Sequence, residues 1–175
     1  MKKIREYLIV DGYNVINSWD ILKEIAKNEL EEAREKLNFI MGEYAAYKGL
    51  YAVVVYDAYR VKTHSKRETE ADNLKVVYTK EKQTADAYIE KMMAELGPKR
   101  HLIIKVATDD MAEQQMILGK GASRISTREL LLEVQKSRVG IKDITAKKTV
   151  QKNTLENLVD ENVLEKLEKI RKSKL

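Results

Sequence analysis

The residues best suited to do chemistry are five aspartates that stand at the ends of predicted strands or the starts of predicted helices. They are Asp11, Asp57, Asp86, Asp109 and Asp110. In an open parallel sheet the carboxyl ends of the strands share one edge, and such folds build their binding sites there. We therefore expect these separated carboxylates to lie in one crevice.

A crevice with several carboxylates indicates a metal site. Carboxylates within several Å repel one another and raise each other's pKa, so a purely structural site gains little from such a cluster. A hard divalent cation offsets the repulsion, and Mg²⁺ and Mn²⁺ prefer carboxylate and water oxygens. The spacing of the aspartates thus favours a site for Mg²⁺ or Mn²⁺.

Each aspartate also has a structural interpretation that the sequence leaves open. Asp11 is able to begin a turn, and Asp57 is able to end a strand. Asp86 in a first helical turn complements the helix dipole. Either Asp110 or Asp109 is able to cap the helix that follows.

Other nuclease and hydrolase chemistries find less support. A metal-free ribonuclease normally needs paired histidines for acid and base work, and the chain has only His64 and His101. Covalent catalysis lacks both a cysteine and a nucleophile elbow. The segment 119–121 is too short for a phosphate-binding P-loop, and no Ser or Thr follows its lysine.

Basic residues near the same predicted edge favour an anionic partner, because lysine and arginine neutralise phosphates without reading sequence. Any single one of them is also compatible with an ordinary solvated surface. Tyr13 and Tyr59 flank two of the aspartates and are able to stack a base, although tyrosine at a strand end more often packs. The two basic groups are Arg60, Lys62, His64, Lys66 and Arg67, and then Lys120, Arg124 and Arg128.

The elements that must position these residues alternate along the chain. Residues 7–10 and 51–56 are short β-branched runs without alternation, as expected for strands covered on both faces. Further strands are predicted at 74–78, 101–106 and 123–126. Helices are predicted from a cap at Asn28 through Tyr44, over 85–96, from about 110 to before Gly119, and from the Ser126–Glu129 capping box to about 136.

This alternation predicts an α/β fold with a mainly parallel sheet flanked by helices. The segment from Lys136 to Lys152 contains six basic residues and one acid, Asp143, and has no regular apolar pattern. We interpret 137–153 as a basic linker. A terminal amphipathic helix then follows, docked on the domain, which divides the chain into 1–136 and 137–175.

Composition narrows the class of protein without naming a function. The 175 residues include 33 Lys and Arg, 28 Asp and Glu and no Cys, for a net charge of +5. No apolar run approaches the roughly 20 residues that cross a bilayer, and the first residues do not resemble a signal peptide. The absence of Cys excludes disulfides and thiolate zinc sites and fits a reducing, cytoplasmic location without a membrane partner.

An apolar strand that ends in Asp11-Gly12-Tyr13-Asn14 resembles the opening motif of the NYN branch of PIN-like nucleases. An ordered series of further motifs resembles the bacterial YacP-type NYN family over roughly residues 5 to 135. These motifs are Glu31–Arg34, Val53–Ala58, Tyr78–Glu81, Thr84–Asp86, Ile89-Glu90, Val106–Asp110, Glu113-Gln114, Gly119–Ala122 and Ser126–Leu130.

The resemblance implies a PIN-like fold and a metal-dependent endoribonuclease that acts on messenger RNA in association with ribosomes. By position, Asp11, Asp57, Asp86 and Asp110 match the family's acids, and Asn14 matches the accompanying amide. Where the family usually has a small hydroxyl residue before the last acid, this chain has an aspartate at position 109, so Asp109 and Asp110 are both candidates for the last metal ligand.

As a hypothesis, Asp11, Asp86 and Asp110 hold one or two ions, with Asp57 a direct ligand or a partner of a bound water. In-line attack by water leaves a 5′ phosphate and a 3′ hydroxyl. Asn14 positions a water or phosphate, as Thr108 is also able to do, or equally braces the Asp11 loop. The alternatives are a non-catalytic module that binds RNA or ribosomes, and a small-molecule phosphohydrolase.

Overall fold

The computed structural model describes residues 5–57, 68–97, 99 and 101–157, with the side chains of 112–114 and 143–157 outside that description. The described chain alternates strands and helices. In order, the elements are β1 (Arg5–Asp11), α1 (Gly12–Ser18), α2 (Asp20–Asn28), α3 (Leu30–Lys48), β2 (Tyr51–Tyr56), β3 (Glu68–Ala71), β4 (Leu74–Tyr78), α4 (Ala85–Leu96), β5 (Leu102–Ala107), α5 (Met111–Gly119), β6 (Ser123–Ile125) and α6 (Thr127–Asn157).

Six strands form one sheet in the order β3-β4-β2-β1-β5-β6. Every neighbouring pair is parallel except β3 and β4. After β1 the chain adds strands on one side and then crosses to the other, so the strand order reverses between β1 and β5. Open α/β sheets bind ligands outside the carboxyl ends at such a reversal. Asp11 and Asp109 follow these two central strands.

Alternate strand residues build two apolar layers, one on each face of the sheet. Val10 and Val54 pack with α1, α2, α3 and the first turns of α6. Ile9 and Val55 pack with α4 and α5 on the other face. Helices thus flank a mainly parallel sheet, and the predicted α/β architecture is confirmed.

Two local predictions were wrong, and one strand was missed. Asn28 does not cap the long helix but ends α2, and α3 begins after Glu29 without a side-chain cap. The edge strand β3 was not predicted because all four of its residues are exposed and none belongs to an apolar run. The segment 137–153 is not a linker, since α6 continues to Asn157. Lys, Arg and Gln have high intrinsic helix propensity, so a basic segment is compatible with a continuing helix.

The chain divides into two compact units, residues 1–137 and 138–175. The predicted division into 1–136 and 137–175 stays a prediction. Residues 158–175, where we predicted a docked terminal helix, lie outside the described residues. No helix in the described part of the chain is long and apolar enough to cross a membrane.

Candidate active site

Asp11 is the last residue of β1 and directly precedes α1, so it lies at the carboxyl edge of the sheet. Its Oδ1 accepts a hydrogen bond of 3.1 Å from the Asn14 backbone N–H, which makes it the N-cap of α1. Asp11 therefore has the structural role that the sequence left open, since it begins the turn into α1. Capping uses the carboxylate as an acceptor and is compatible with a second role.

The pKa of Asp11 is raised to about 6, first by burial of the half-buried carboxyl and then by the charges of Asp86 and Asp57. Backbone hydrogen bonds from Asn14 and Tyr13 oppose the rise. Carboxylates from two other segments, Asp86 and Asp57, thus lie near enough to Asp11 to affect it at this edge of the sheet. A cation beside Asp11 would relieve both the burial and the repulsion.

Asp57 positions the helix that holds Asp86. Its Oδ1 accepts a hydrogen bond of 2.6 Å from the backbone N–H of Ala85, the first residue of α4. Thr84 caps the same helix end by accepting from the Ala87 N–H at 3.2 Å. Asp86, exposed in the first turn of α4, is therefore positioned relative to the end of β2 by the hydrogen bond between Asp57 and the neighbouring Ala85 N–H.

Asp109 is integrated into a network that joins three loops. Its carboxylate accepts from the Thr127 N–H at 3.0 Å, from the Thr127 hydroxyl, from Ser18 Oγ at 3.1 Å and from Arg124 Nη2 at 3.4 Å. Burial opposes ionisation, but these donors hold the pKa of Asp109 below its usual value. The structure thereby gives both oxygens of this carboxylate structural partners.

Asp110 and Thr108 lie on either side of Asp109 and have different surroundings. Asp110 is exposed, and its backbone N–H donates to Thr108 Oγ1 at 3.0 Å. Thr108 is fully buried, and its carbonyl accepts from Arg124 Nε at 3.0 Å. A buried hydroxyl that receives a backbone N–H supports a structural role for Thr108 rather than contact with a phosphate.

Asn14 connects the first and last of these loops. Its backbone N–H donates to Asp11, and its side-chain Oδ1 accepts from the Asp109 N–H at 3.2 Å. Of the two roles predicted for Asn14, the contacts favour bracing of the Asp11 loop. The brace holds the crevice between β1 and β5 at a fixed width.

The basic residues predicted to bind RNA divide into three groups. Arg60, Lys62, His64, Lys66 and Arg67 lie outside the described residues, as does Tyr59. Arg124 donates within the Asp109 network, and Lys120 Nζ is 3.2 Å from Glu90 Oε1. Arg128 is exposed in the first turn of α6. The described cations are therefore partly engaged by the protein itself.

Tyr13 packs in the core, and the alternative that it stacks a base is wrong. It is buried, lies edge-on to Tyr56 with ring centroids 5.2 Å apart, and accepts a hydrogen bond of 2.9 Å from Arg34 Nη1. Arg34 is only 3% exposed and is paired with Glu31. The sequence analysis missed this buried interaction of Arg34. It was indicated by an arginine one helical turn after Leu30, on the face of α3 that otherwise carries apolar residues.

Gly12 is required by the same packing. A Cβ at this position would lie 2.2 Å from Cε1 of the Tyr56 ring, which is far inside contact distance. The Tyr56 hydroxyl donates to Asn38 Oδ1 at 2.9 Å, so the ring has little freedom to move away. The glycine after Asp11 thus lets α1 begin directly against β2.

The donor set fits a hard cation only in part. In the described part of the chain, no group of three or more His, Asp or Glu residues is arranged to hold a metal ion. Mg²⁺ commonly uses one or two carboxylates and completes its shell with waters and substrate phosphates. The all-oxygen donors around Asp11 fit that second mode, in which protein ligands alone do not form a closed cage.

The chain matches the model of the YacP-like NYN domain over residues 8–172. This match extends well beyond residue 135, where the motif resemblance ended. The relative named "Uncharacterized protein YacP" of Bacillus subtilis (strain 168) is 41% identical over 170 residues, which are 97% of this chain and 99% of the relative.

Two solved structures have the same fold. The crystal structure of Rae1 (YacP) from Bacillus subtilis superposes with a TM-score of 0.74 at 40% identity, covering 100% of this chain and 97% of that one. Its W164L mutant gives a TM-score of 0.69 at 40% identity and covers 82% of each chain. The predicted PIN-like fold is confirmed.

Proposed function

Because the chain belongs to the YacP-like NYN domain family, which is nuclease-like and RNA-related, we propose that it is a metal-dependent endoribonuclease. The reaction is hydrolysis of RNA phosphodiester bonds. The motif resemblance extends the proposal to messenger RNA in association with the ribosome. One observation supports it above the others: at the edge where the strand order reverses, burial first and then the nearby charges of Asp86 and Asp57 raise the pKa of Asp11.

The proposed carboxylate ligands for Mg²⁺ or Mn²⁺ are Asp11 and Asp86, with waters and substrate phosphates completing the shell. Asp110 stays a predicted ligand. When bound, such an ion lowers the pKa of a water molecule and neutralises charge on the phosphodiester. Asp11 must be ionised to bind it, which its pKa of about 6 permits at neutral pH. Asp109 is the predicted ligand that we now assign to bracing, because its oxygens already accept from Thr127, Ser18 and Arg124.

The other residues of the crevice orient these acids. Asp57 fixes the start of α4 and therefore the position of Asp86. Asn14 keeps the Asp11 loop and the Asp109 loop together. RNA is held by phosphate contacts, for which Arg128 is the exposed cation among the described candidates.

The alternative is a non-catalytic module that binds RNA or ribosomes. It is favoured by one observation, that the described residues hold no group of three acids arranged for a metal ion. On this alternative Asp11 and Asp57 are kept as helix-positioning residues, which both of them also are.

The experiment is cleavage of a defined RNA, alone and on translating ribosomes, with Mg²⁺, Mn²⁺ or EDTA. We expect cleavage with either metal and none with EDTA, and we expect Asp11→Asn and Asp86→Asn to abolish it. Asp20→Asn is the matched control, because Asp20 also stands in a first helical turn and is exposed. Normal cleavage by the first two variants contradicts the proposed site. If the wild type cleaves neither substrate but binds ribosomes, the result favours the non-catalytic binding module.

A further inference from the structure

A groove lies on the α3 side of the sheet, and none of the predicted site residues that the structure describes lines it. It has a volume of about 630 Å³ and runs between α3 and the face of the β3–β4 hairpin. Phe39, Gly42 and Ala46 line one wall, and Thr69, Leu74 and Val76 form the floor. The volume lies within the range of about 300–1,000 Å³ that is typical of sites which bury a ligand or an anchoring side chain.

The groove displays an apolar surface that a folded chain ordinarily covers. Phe39 is 60% exposed although it stands beside Leu74 and Val76, which are partly or fully buried. Exposed apolar area next to a concave surface marks an interaction site more often than a lone exposed residue does. Phe39 is placed to contact whatever enters the groove.

A glycine keeps the groove open where the helix alone would favour alanine. Gly42 lies in the middle of the 19-residue helix α3, where glycine costs about 1 kcal/mol relative to alanine. A Cβ at Gly42 would meet only the Leu74 Cδ2 atom, at an ordinary 3.6 Å. Neither a turn nor a close backbone approach therefore requires this glycine, whereas a side chain there would begin to fill the groove.

The charge of the groove is opposite to that of the whole protein. The net charge of the chain is +5, yet the described lining residues include Glu43 and Asp72 and no Lys or Arg. Glu35 is exposed two helical turns before Gly42, on the same side of α3. These acids disfavour the phosphates of RNA and favour lysine and arginine.

We propose that this groove is a docking site for a basic amphipathic helix of a partner protein. Such a helix inserts apolar side chains beside Phe39 and over the β3–β4 face, while its lysines or arginines lie near Glu43 and Asp72. The site is where a layered α/β structure would place one more helix, beside α3 and over the β3–β4 end of the sheet. The proposal is independent of RNA cleavage.

The probes are three labelled peptides of about 14 residues with the same leucine and phenylalanine face. Their polar face consists of lysine, glutamine or glutamate. Fluorescence anisotropy with the full chain measures their binding at low and high salt, and a labelled oligouridylate of similar mass is the RNA probe. We expect the lysine peptide to bind with a Kd on the order of 10 µM, the glutamine peptide more weakly, and the glutamate peptide not at all.

Three variants locate the binding. Phe39→Glu removes the exposed anchor, and Gly42→Leu fills the groove; each should weaken the lysine peptide at least about tenfold. Gly42→Leu should melt no lower than wild type, so its lost binding is not unfolding. Asp72→Asn should weaken binding about twofold at low salt and less at high salt. Ile21→Glu is the control, since Ile21 is 69% exposed on α2 and outside the groove.

Several results would overturn the proposal. One is equal binding of the lysine and glutamate peptides, and another is binding that survives both Phe39→Glu and Gly42→Leu. Oligouridylate binding that Phe39→Glu removes would make the groove an RNA site. Self-association that Phe39→Glu removes, measured by sedimentation, would make it an interface between copies. RNA cleavage by Phe39→Glu should equal that of wild type, so failure here is separable from failure of the nuclease proposal.

Discussion

Asp11 and Asp109 have the same side chain and follow the two central neighbouring strands, yet their surroundings have opposite effects. Burial and the charges of Asp86 and Asp57 raise the pKa of Asp11 to about 6. Hydrogen bonds from Thr127 and Ser18 keep the pKa of Asp109 below its usual value despite burial. The comparison teaches that position at the carboxyl edge does not by itself make a ligand. Asp11 is distinguished as a candidate ligand because burial and neighbouring charges outweigh the hydrogen bonds that it accepts.

The largest expected effect is on activity. Asp11→Asn should lower RNA cleavage at least about 10³-fold, or about 4 kcal/mol in the barrier, because the amide removes the charge that a cation needs. Asp109→Asn should lower cleavage less than about tenfold, measured in the same assay with Mn²⁺. Equal losses in the two variants would erase the proposed difference between the two aspartates.

The next largest effect is on the free energy of unfolding, and here we expect the substitution of Asp109 to be the damaging one. Asp109→Asn should reduce the free energy of unfolding by about 2 kcal/mol, because an amide cannot accept from both the Thr127 and the Ser18 donors. Urea denaturation followed by circular dichroism measures it. Asp20→Asn serves as the reference, and a loss no greater than in that variant would show that the network adds little.

Metal binding should stabilise the wild type through Asp11. At about ten times the Kd, Mn²⁺ adds about 1.4 kcal/mol, which raises Tm by about 4 °C in a chain of this size. The shift should persist in Asp109→Asn and vanish in Asp11→Asn, as recorded by differential scanning fluorimetry. A full shift in Asp11→Asn would place the metal elsewhere.

The smallest effect is a dependence of stability on pH without metal. The folded pKa of Asp11 is about 6 against an ordinary 3.8, so the folded state holds a proton that the unfolded state has released. Wild-type stability therefore falls as pH rises from about 4 through 6. Asn retains the N-cap and avoids this loss.

Asp11→Asn should accordingly exceed wild type at pH 8 by on the order of 1 kcal/mol, after allowance for solvent screening of the half-buried group. At pH 4 the two proteins should unfold at similar urea concentrations. A constant difference between the two pH values would point to a cause other than titration of Asp11.

Much of the fold follows from local patterns. The β-branched runs of β1 and β2 and the Thr84 to Gly97 boundaries of α4 are explicit in the sequence, as is the Ser126–Glu129 capping box, whose reciprocal hydrogen bonds the structure contains. The placement of acids at one edge follows from parallel topology alone. Patterns of this kind are short-range, so a single sequence displays them.

Which aspartates have structural hydrogen-bond partners could not be predicted in the same way. Asp109 is paired with Ser18 and Thr127, which belong to distant segments, and no spacing rule links the three. The same holds for Asp57, whose partner is the Ala85 N–H of a helix that begins much later. Sequence positions indicate which carboxylates lie at the carboxyl edge of the sheet. Only tertiary contacts determine which of them accept hydrogen bonds from the protein and so have a structural role.

The close approach of Gly12 to Tyr56 has an evolutionary consequence. A methyl group at position 12 would meet the ring at 2.2 Å, so position 12 cannot gain a side chain while Tyr56 keeps its present place. Homologues should show the two positions varying together, with a larger residue at 12 only where 56 has become small. The glycine beside the proposed catalytic aspartate is then retained by selection for a partner on the next strand, whether or not the protein still cleaves RNA.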